Sequence, residues 1–233
     1  MATTLNYNSI KNMFRKGVDL PKFEILNFIS QSVNLYGINS EGQELLLRVL
    51  DRKDDFMEYS DIIISLIRKY GLYPYLKNFD LSLSDEIACE IHKPEGLKNI
   101  VFHSKQNEIY YTLIHKGNVV LSAPTSFGKS LIIDSIITSN LYNNIMIIVP
   151  SIALIDETRK RLIKYSEQYR IISFSGQSLG NRNIFVLTQE RALDYIERAD
   201  IDFFVIDEFY KLDIKENQDL DSSSARRVQA CQG

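Results

Sequence analysis

The sequence predicts an α/β protein in which a parallel sheet flanked by helices follows a mostly α-helical accessory domain. Two observations predict this class. From about residue 119 onwards short apolar strands alternate with helical segments, a pattern typical of βαβ units whose sheet is buried on both faces. Before about residue 94, apolar residues recur at helical spacing and no strand pattern emerges. We therefore predict a helical domain over residues 1–95 and a sheet domain over residues 96–218.

The composition is that of an ordinary globular protein. The chain has 233 residues, of which 45% are hydrophobic and 24% charged, enough for a sizeable core. Its net charge of −3 excludes the overall basic bias of an autonomous nucleic-acid binder. No signal peptide is recognisable, and the longest apolar run, Ile145–Ile155, is broken by Pro150. We expect a cytoplasmic protein that does not bind membranes.

The cysteines and histidines indicate no metal centre. Cys89 and Cys231 lie far apart, and the three histidines (His92, His103 and His115) form no ligand spacing with them. We expect neither a disulfide nor a structural metal.

The helical region has recognisable stripes and ends. One stripe combines Phe23, Leu26, Ile29 and Val33, and two further apolar runs surround Leu46 and Ile63. Ser40 with Gln43 resembles a capping box that starts a helix, and Gly71 with Pro74 resembles a stop. These stripes contain no catalytic constellation, which favours a packing role for their apolar faces.

The segment 94–96 (Pro-Glu-Gly) is the predicted domain boundary, and strands and helices alternate after it. The predicted strands are Val119–Ser122, Ile145–Val149, Ile171–Phe174, Ile184–Thr188 and Phe203–Ile206. The predicted helices are Ser104–Lys116, Lys129–Leu141, Ser151–Glu167 and Gln189–Arg198. Ligands of such sheets bind at the carboxyl ends of the strands, so the residues just after each strand are candidate site residues.

A phosphate-binding loop is predicted between the first of these strands and its helix. Residues Ala123–Ser130 read A-P-T-S-F-G-K-S, close to G-x-x-x-x-G-K-[ST] with Ala123 at the first glycine position. The loop opens a helix, whose N-terminal N–H groups and dipole favour phosphate oxygens. Lys129 is predicted to reach the β/γ-phosphates of ATP, and the Ser130 hydroxyl to bind Mg²⁺. The remaining loop candidates are Pro124, Thr125, Ser126, Phe127 and Gly128. The alternative is a glycine-containing surface turn before a helix.

Two carboxylates directly follow the last predicted strand. Asp207 is predicted to hold the Mg²⁺ shared with Ser130, and Glu208 to orient and deprotonate the attacking water. Taken alone, such a pair is more often a solvated strand end. The phosphate loop upstream in the same alternating pattern favours the catalytic interpretation.

Together these motifs resemble the first RecA-like domain of a superfamily two helicase of the DEAD/DEAH-box type. The resemblance covers residues 98–212, and its motifs occur in the family's order. They are Ala123–Ser130 for motif I, Pro150–Leu154 for motif Ia, Thr188–Arg191 for motif Ib and Val205–Glu208 for motif II. Gln106 stands where the family has a glutamine that reads adenine. The resemblance implies ATP and Mg²⁺ as cofactors and contacts to a DNA or RNA backbone.

The resemblance implies that Pro150, Ser151, Thr188 and Gln189 contact nucleic acid, since two of them open helices after strands. The basic residues that follow on the first of these helices form either a phosphate track or a solvated face. These basic residues are Arg159, Lys160, Arg161 and Lys164.

The sequence also departs from the family. Phe209-Tyr210 replaces Ala-Asp or Ala-His after motif II, and Ser126 and Ser130 replace a glycine and a threonine of motif I. No motif III is recognisable between Leu212 and Gly233, and we expect the second RecA-like domain with its arginine finger to be missing from this chain. The tail 219–233 is predicted to be disordered.

The most specific reading is the ATPase lobe of a helicase or translocase that has little activity alone. Its motif style resembles helicase subunits of bacterial anti-phage systems such as Hachiman, which implies a defence partner protein. A truncated, non-catalytic nucleotide-binding module and a small-molecule kinase are the alternatives.

Overall fold

A computed structural model describes residues 5–17, 20–115 and 117–209 of the chain. The chain divides into two compact units, residues 1–140 and residues 141–233. The predicted boundary at 94–96 lies inside the first unit and stays a prediction. The predicted disordered tail, residues 219–233, lies outside the described residues.

The first unit is helical. Its α-helices are α1 (Tyr7–Lys16), α2 (Lys22–Tyr36), α3 (Ser40–Asp51), α4 (Ser60–Tyr70), α5 (Leu83–Ile91), α6 (Ser104–His115) and α7 (Lys129–Thr138). Short 3₁₀ helices span Lys53–Tyr59, Tyr73–Asn78 and Thr125–Phe127. The helical part of the predicted fold class is thus confirmed.

The core of this unit lies between α1, α2, α3 and α4. It buries the apolar stripes that the sequence predicts, including Leu26, Ile29, Leu46 and Ile63. Phe23 is the exception, because it is 54% exposed and its ring lies 6.2 Å from that of Tyr59. Burial of each such aliphatic side chain contributes about 1.5–3 kcal/mol to stability.

The caps of α3 and α4 explain where these helices begin and end. The predicted capping box at Ser40 is wrong: Ser40 is the first helical residue, and Asn39 is the cap, with its side chain accepting a hydrogen bond from Gly42 N. Asn39 has the extended backbone that an N-cap needs, and its side-chain oxygen reaches the third N–H. Gly71 ends α4 in the left-handed conformation (φ 68°), which confirms the predicted stop.

The predicted strand Val119–Ser122 is also wrong, because this segment has no regular secondary structure. Val120 is 86% exposed. A strand exists only when a neighbouring strand pairs with its backbone groups. The described residues of the first unit include no strand that could do so.

The second unit carries a four-stranded sheet, and its strands are all parallel. They are β1 (Asn144–Ile148), β2 (Arg170–Ile172), β3 (Asn183–Leu187) and β4 (Phe203–Ile206), in the order β2-β3-β1-β4. The helices α8 (Ile152–Leu162) and α9 (Gln189–Ile196) alternate with the strands, followed in the first case by a 3₁₀ turn at Ile163–Tyr165. The α/β class with a parallel sheet is therefore confirmed.

The register of the sheet aligns the ends of three strands. Ile148 of β1 pairs with Leu187 of β3 on one side and with Ile206 of β4 on the other. At the opposite end the Asn183 side chain donates to Asn144 Oδ1 over 2.8 Å. The residues that follow β1, β3 and β4 consequently emerge at the same edge of the sheet.

Within the described part of the chain, no helix has both the length and the apolar character that crossing a membrane requires.

The packing of α3 against α4 gives a test of the helical core. A Cβ on Gly42 would lie 1.9 Å from the Tyr70 hydroxyl oxygen and 3.0 Å from Cζ. Helix propensity favours alanine by about 1 kcal/mol, whereas overpacking costs about 1–3 kcal/mol. We expect the steric cost to win, so that Gly42→Ala lowers the free energy of unfolding in urea denaturation. In a Tyr70→Phe background the same substitution should cost less, and equal costs in both backgrounds would contradict the contact.

Candidate functional site

The predicted phosphate loop forms one tight turn before α7. Thr125–Phe127 makes a single 3₁₀ turn, closed by Phe127 N donating to Pro124 O over 3.1 Å. Gly128 follows with φ 85°, a left-handed conformation that side chains disfavour. The helix α7 then starts at Lys129, as predicted. Gly128 therefore lets the chain turn directly from the loop into the helix.

The N-terminus of α7 suits an anion. The N-cap is Gly128, which has no side chain that could accept from the first N–H groups of the helix. Since such N–H groups carry partial positive charge, a phosphate oxygen is a favourable acceptor for them. The loop candidates Pro124, Thr125 and Ser126 are exposed. Ser130, the second residue of α7, is exposed as well. The residues present thus fit a nucleotide phosphate.

Lys129 folds back onto the loop that precedes it. Its Nζ donates to the Ala123 carbonyl over 2.9 Å, six residues away, and the side chain is half-buried. A phosphate oxygen carries a negative charge that a carbonyl oxygen lacks, so it attracts the ammonium group more strongly. Lys129 can therefore exchange a neutral carbonyl for a phosphate oxygen without leaving the loop.

Gln106 connects α6 to the phosphate loop. Its Nε2 donates to the Phe127 carbonyl over 2.7 Å, and its Oε1 accepts from His103 N over 3.0 Å. The side chain is only 6% exposed. A Cβ on Gly128 would lie 2.6 Å from Gln106 Nε2, so glycine is required there for a second reason. Gln106, predicted to read adenine, holds the loop in this structure.

His103, the residue just before α6, donates its backbone N–H to the Gln106 amide, and its imidazole is partly buried beside that amide. Burial lowers the pKa of its imidazole, and a hydrogen bond with the Gly71 backbone partly opposes that shift. Its ring lies 6.1 Å from the ring of Tyr75. The lowered pKa favours a neutral ring beside the loop-holding amide.

The two predicted carboxylates follow β4 in the second unit. Asp207 N donates to the Ile148 carbonyl over 2.9 Å, which extends the ladder between β1 and β4 by one residue. Glu208 then adopts a left-handed backbone with φ 50°. This conformation costs a residue with a side chain on the order of 1 kcal/mol and is over-represented at functional sites. Both residues are half-buried.

The predicted nucleic-acid residues of motifs Ia and Ib emerge at this same edge. Pro150 and Ser151 follow β1, while Thr188 and Gln189 follow β3. Ser151 is the N-cap of α8, and its hydroxyl accepts from Leu154 N over 3.4 Å. Thr188 is the N-cap of α9 but makes no side-chain capping bond. The two helix starts therefore differ: one hydroxyl is used by its own helix, and the other is not used for capping.

Sequence reasoning missed the loop after β2. Phe174 is 56% exposed, and its backbone is held by Gln177 Oε1, which accepts from Phe174 N and Ser173 N. The Tyr195 hydroxyl donates to the Phe174 carbonyl over 2.9 Å. Exposed aromatic rings on fixed loops are suited to base stacking. In the sequence, Gly176 indicates a turn in this loop, but a turn signal does not show that the Phe174 side chain is exposed.

The order of the strands sets the spacing along this edge. Along the edge, the loops after β2, β3 and β1 lie side by side in that order, and the carboxylates after β4 lie beyond the loop after β1. Neighbouring strands lie about 4.8 Å apart, so three steps separate Phe174 from Asp207 by about 14 Å. Within the second unit, the candidate nucleic-acid loops and the carboxylates thus share one edge.

The predicted site residues consequently fall into two groups. The first unit brings together Gln106, the loop 124–128, Lys129 and Ser130. The second unit aligns Pro150, Ser151, Thr188, Gln189, Asp207 and Glu208 along one edge of its sheet. Tyr210, which departs from the family pattern, lies outside the described residues.

Comparison with known proteins identifies the family of each part of the chain. Residues 1–86 match the anti-bacteriophage protein B N-terminal domain, and residues 103–231 match the DEAD/DEAH box helicase family. Anti-bacteriophage protein B of Escherichia coli (strain K12) is 37% identical over 220 residues. That alignment covers 92% of this chain and 30% of the relative, so the chain spans less than a third of its relative's length. No solved structure gives a significant match.

The helicase match contains all four motifs that the sequence analysis assigned, together with Gln106. It extends over more than half of the chain, and the parallel sheet with its flanking helices has the architecture that a RecA-like domain requires. The chain belongs to the DEAD/DEAH box helicase family and combines its helicase domain with an anti-bacteriophage protein B N-terminal domain.

Proposed function

We propose that this chain provides the ATP-binding lobe of a nucleic-acid helicase or translocase, which couples ATP hydrolysis to movement on DNA or RNA. The observation that carries the proposal is the left-handed turn at Gly128, which leads directly into α7 and serves as its N-cap without a side chain. Lys129, at the first position of that helix, supplies the positive charge that phosphate needs.

ATP would be held through its phosphates by residues 124–130, and Gln106 would read the adenine. Ser130 and Asp207 are the Mg²⁺ ligands that family membership suggests. Magnesium bound with ATP supplies charge neutralisation on the phosphates. Glu208 would orient and deprotonate the attacking water, as a carboxylate at that motif position is suited to do.

The nucleic-acid backbone would lie along the edge formed by Pro150, Ser151, Thr188 and Gln189. The common register of β1 and β3 supports this, because it aligns the two helix starts. Helix N-termini and hydroxyl groups bind phosphate oxygens without reading sequence. The interaction should therefore be insensitive to base identity.

A role in defence against bacteriophage in the cytoplasm completes the proposal. Its support is the match to the anti-bacteriophage protein B N-terminal domain and to the Escherichia coli protein of that name. The complete activity would also require a second RecA-like domain, which provides an arginine for phosphoryl transfer, and a defence partner protein. An arginine supplied in this way is worth about 10³ to 10⁵ in rate.

Substitution of the loop lysine tests nucleotide binding. With ATP at 100 times its dissociation constant, ligand binding should stabilise the wild-type chain by about 2.7 kcal/mol. We expect Lys129→Ala to abolish this stabilisation in thermal melts with Mg-ATP while leaving the free protein folded. Lys105→Ala, on the exposed side of α6, is the control and should retain the full shift. If Mg-ATP raised the melting temperature of Lys129→Ala as much as that of the wild type, Lys129 would not be a phosphate-binding residue.

Adenine reading by Gln106 is tested by comparing ATP with GTP. Gln106→Ala loses the hydrogen bond to the Phe127 carbonyl, so both nucleotides should bind more weakly. If the amide also reads adenine, ATP should lose about a further 1–3 kcal/mol of binding free energy. The measurement is the dissociation constant of each nucleotide by calorimetry. Equal losses for ATP and GTP would leave Gln106 with its loop-holding role alone.

Thr188 offers a test of the nucleic-acid edge in which helix capping is not disturbed. Thr188→Val keeps the shape of the side chain and removes a hydroxyl that makes no capping bond. We expect single-stranded oligonucleotides to bind more weakly by about 0.5–1.5 kcal/mol, measured by fluorescence anisotropy with DNA and with RNA. Thr188→Ser, which keeps the hydroxyl, should bind normally. Unchanged affinity in Thr188→Val would place the backbone contact elsewhere.

A further inference from the structure

The helix that follows the phosphate loop is tied to the rest of the first unit near both of its ends. Near its start, Gln106 Nε2 donates to the Phe127 carbonyl over 2.7 Å. At its end, the Thr138 hydroxyl donates to the Glu95 carbonyl over 3.1 Å. Gly96, with φ 79°, approaches so closely that a Cβ there would lie 2.5 Å from the Thr138 carbonyl oxygen. The position of α7 is therefore set by residues that precede it by more than 20 positions.

The contact between α4 and α6 forms a close joint between Gly71 and Ser104. Gly71 is the left-handed residue that ends α4, and its carbonyl accepts from Ser104 N over 2.9 Å. A Cβ on Gly71 would lie 2.4 Å from Ser104 Oγ and 2.6 Å from Ser104 Cβ. No side chain fits at this position unless α6 moves away from α4.

The joint lies two residues from the amide that holds the loop. Ser104 is the first residue of α6, and Gln106 occupies the third position of the same helix. Gln106 has little freedom to compensate for a shift, because both ends of its amide are engaged and the side chain is 6% exposed. A displacement of the start of α6 would therefore be transmitted to Phe127 and Gly128.

The other side of the joint belongs to the helical core. Ile63, Leu66 and Ile67 of α4 are buried among the apolar residues of α1–α3. Close-packed elements of this kind move as units rather than deform continuously. The end of α4 is thus fixed by the helical region, and the start of α6 is fixed by the end of α4.

We propose that Gly71 and Ser104 are positioning residues for the phosphate loop: their joint links the packing of the helical region against α6 to the affinity for nucleotide. The inference rests on the proposed binding of ATP. Such a link is reciprocal, so nucleotide bound at the loop also strengthens the joint. Anything that shifts α4 relative to α6 changes nucleotide affinity without touching the nucleotide.

The test is to crowd the joint and measure nucleotide affinity. Gly71→Ala should raise the dissociation constant of a fluorescent ATP analogue about 10-fold, within the usual range of coupling between sites. Gly17→Ala is the matched control. Gly17 also ends a helix with a left-handed backbone (φ 64°), but a Cβ there would meet no atom of the described residues within 4 Å. Gly17→Ala therefore introduces the same backbone strain without the contact. This variant should bind the ATP analogue with the affinity of the wild type.

Rescue separates positioning from general damage. Ser104→Gly in the Gly71→Ala background removes both atoms that the new methyl group would meet, so affinity should return towards the wild-type value. Ser104→Ala in the same background keeps the Cβ and should not restore it. Equal rescue by both, or rescue by neither, would overturn the proposal.

A measurement on the unmodified protein covers the case in which Gly71→Ala fails to fold. The Ser104 amide, which donates to Gly71, should exchange its hydrogen more slowly when Mg-ATP is added. Unchanged exchange at saturating Mg-ATP would overturn the joint as a coupling element. If the wild-type chain binds no ATP analogue at all, the proposed function itself fails. If it binds and Gly71→Ala matches Gly17→Ala, only the positioning role fails.

Discussion

The hydrogen bond between the Gln106 amide and the Phe127 carbonyl is the contact on which the candidate nucleotide site depends. It joins two segments 21 residues apart in the chain, and it does so at the residue just before the left-handed turn at Gly128. The oxygen of the same amide accepts a hydrogen bond from His103 N, so the position of the loop depends on the position of the start of α6. Because a buried amide with only one of its bonds would be costly, the whole arrangement is stable only when loop and helix are in register.

Much of this architecture could be predicted from the sequence because its signals are local. The apolar run Phe203–Ile206 has the strand bounds that the pattern predicts, and α7 starts at Lys129 as the glycine and lysine of the loop indicate. The left-handed stop at Gly71 is similarly encoded by one residue. In each case the physical cause lies within a few residues of the signal.

The features that could not be predicted depend on distant partners or on a choice between neighbours. Val119–Ser122 has the composition of a strand, but a strand needs a second strand, and composition does not supply one. Asn39 and Ser40 are both good caps, and only the backbone geometry selects Asn39. The joint between Gly71 and Ser104 leaves no periodic pattern, because a close approach of two backbones 33 positions apart depends on how the intervening helices pack.

The paired amides of Asn144 and Asn183 have a consequence for how this protein tolerates sequence change. Asn183 is 2% exposed, and its side chain also exchanges hydrogen bonds with the Gly180 backbone, so one of its three hydrogen bonds depends on the alignment of β1 and β3. The pair lies four residue steps, or about 13 Å, from the loops that it aligns. Replacing Asn144 would remove one hydrogen bond of the buried Asn183 amide and leave its bonds to Gly180 in place. The two positions should therefore change together, although neither asparagine lies at the edge that carries Ser151 and Thr188.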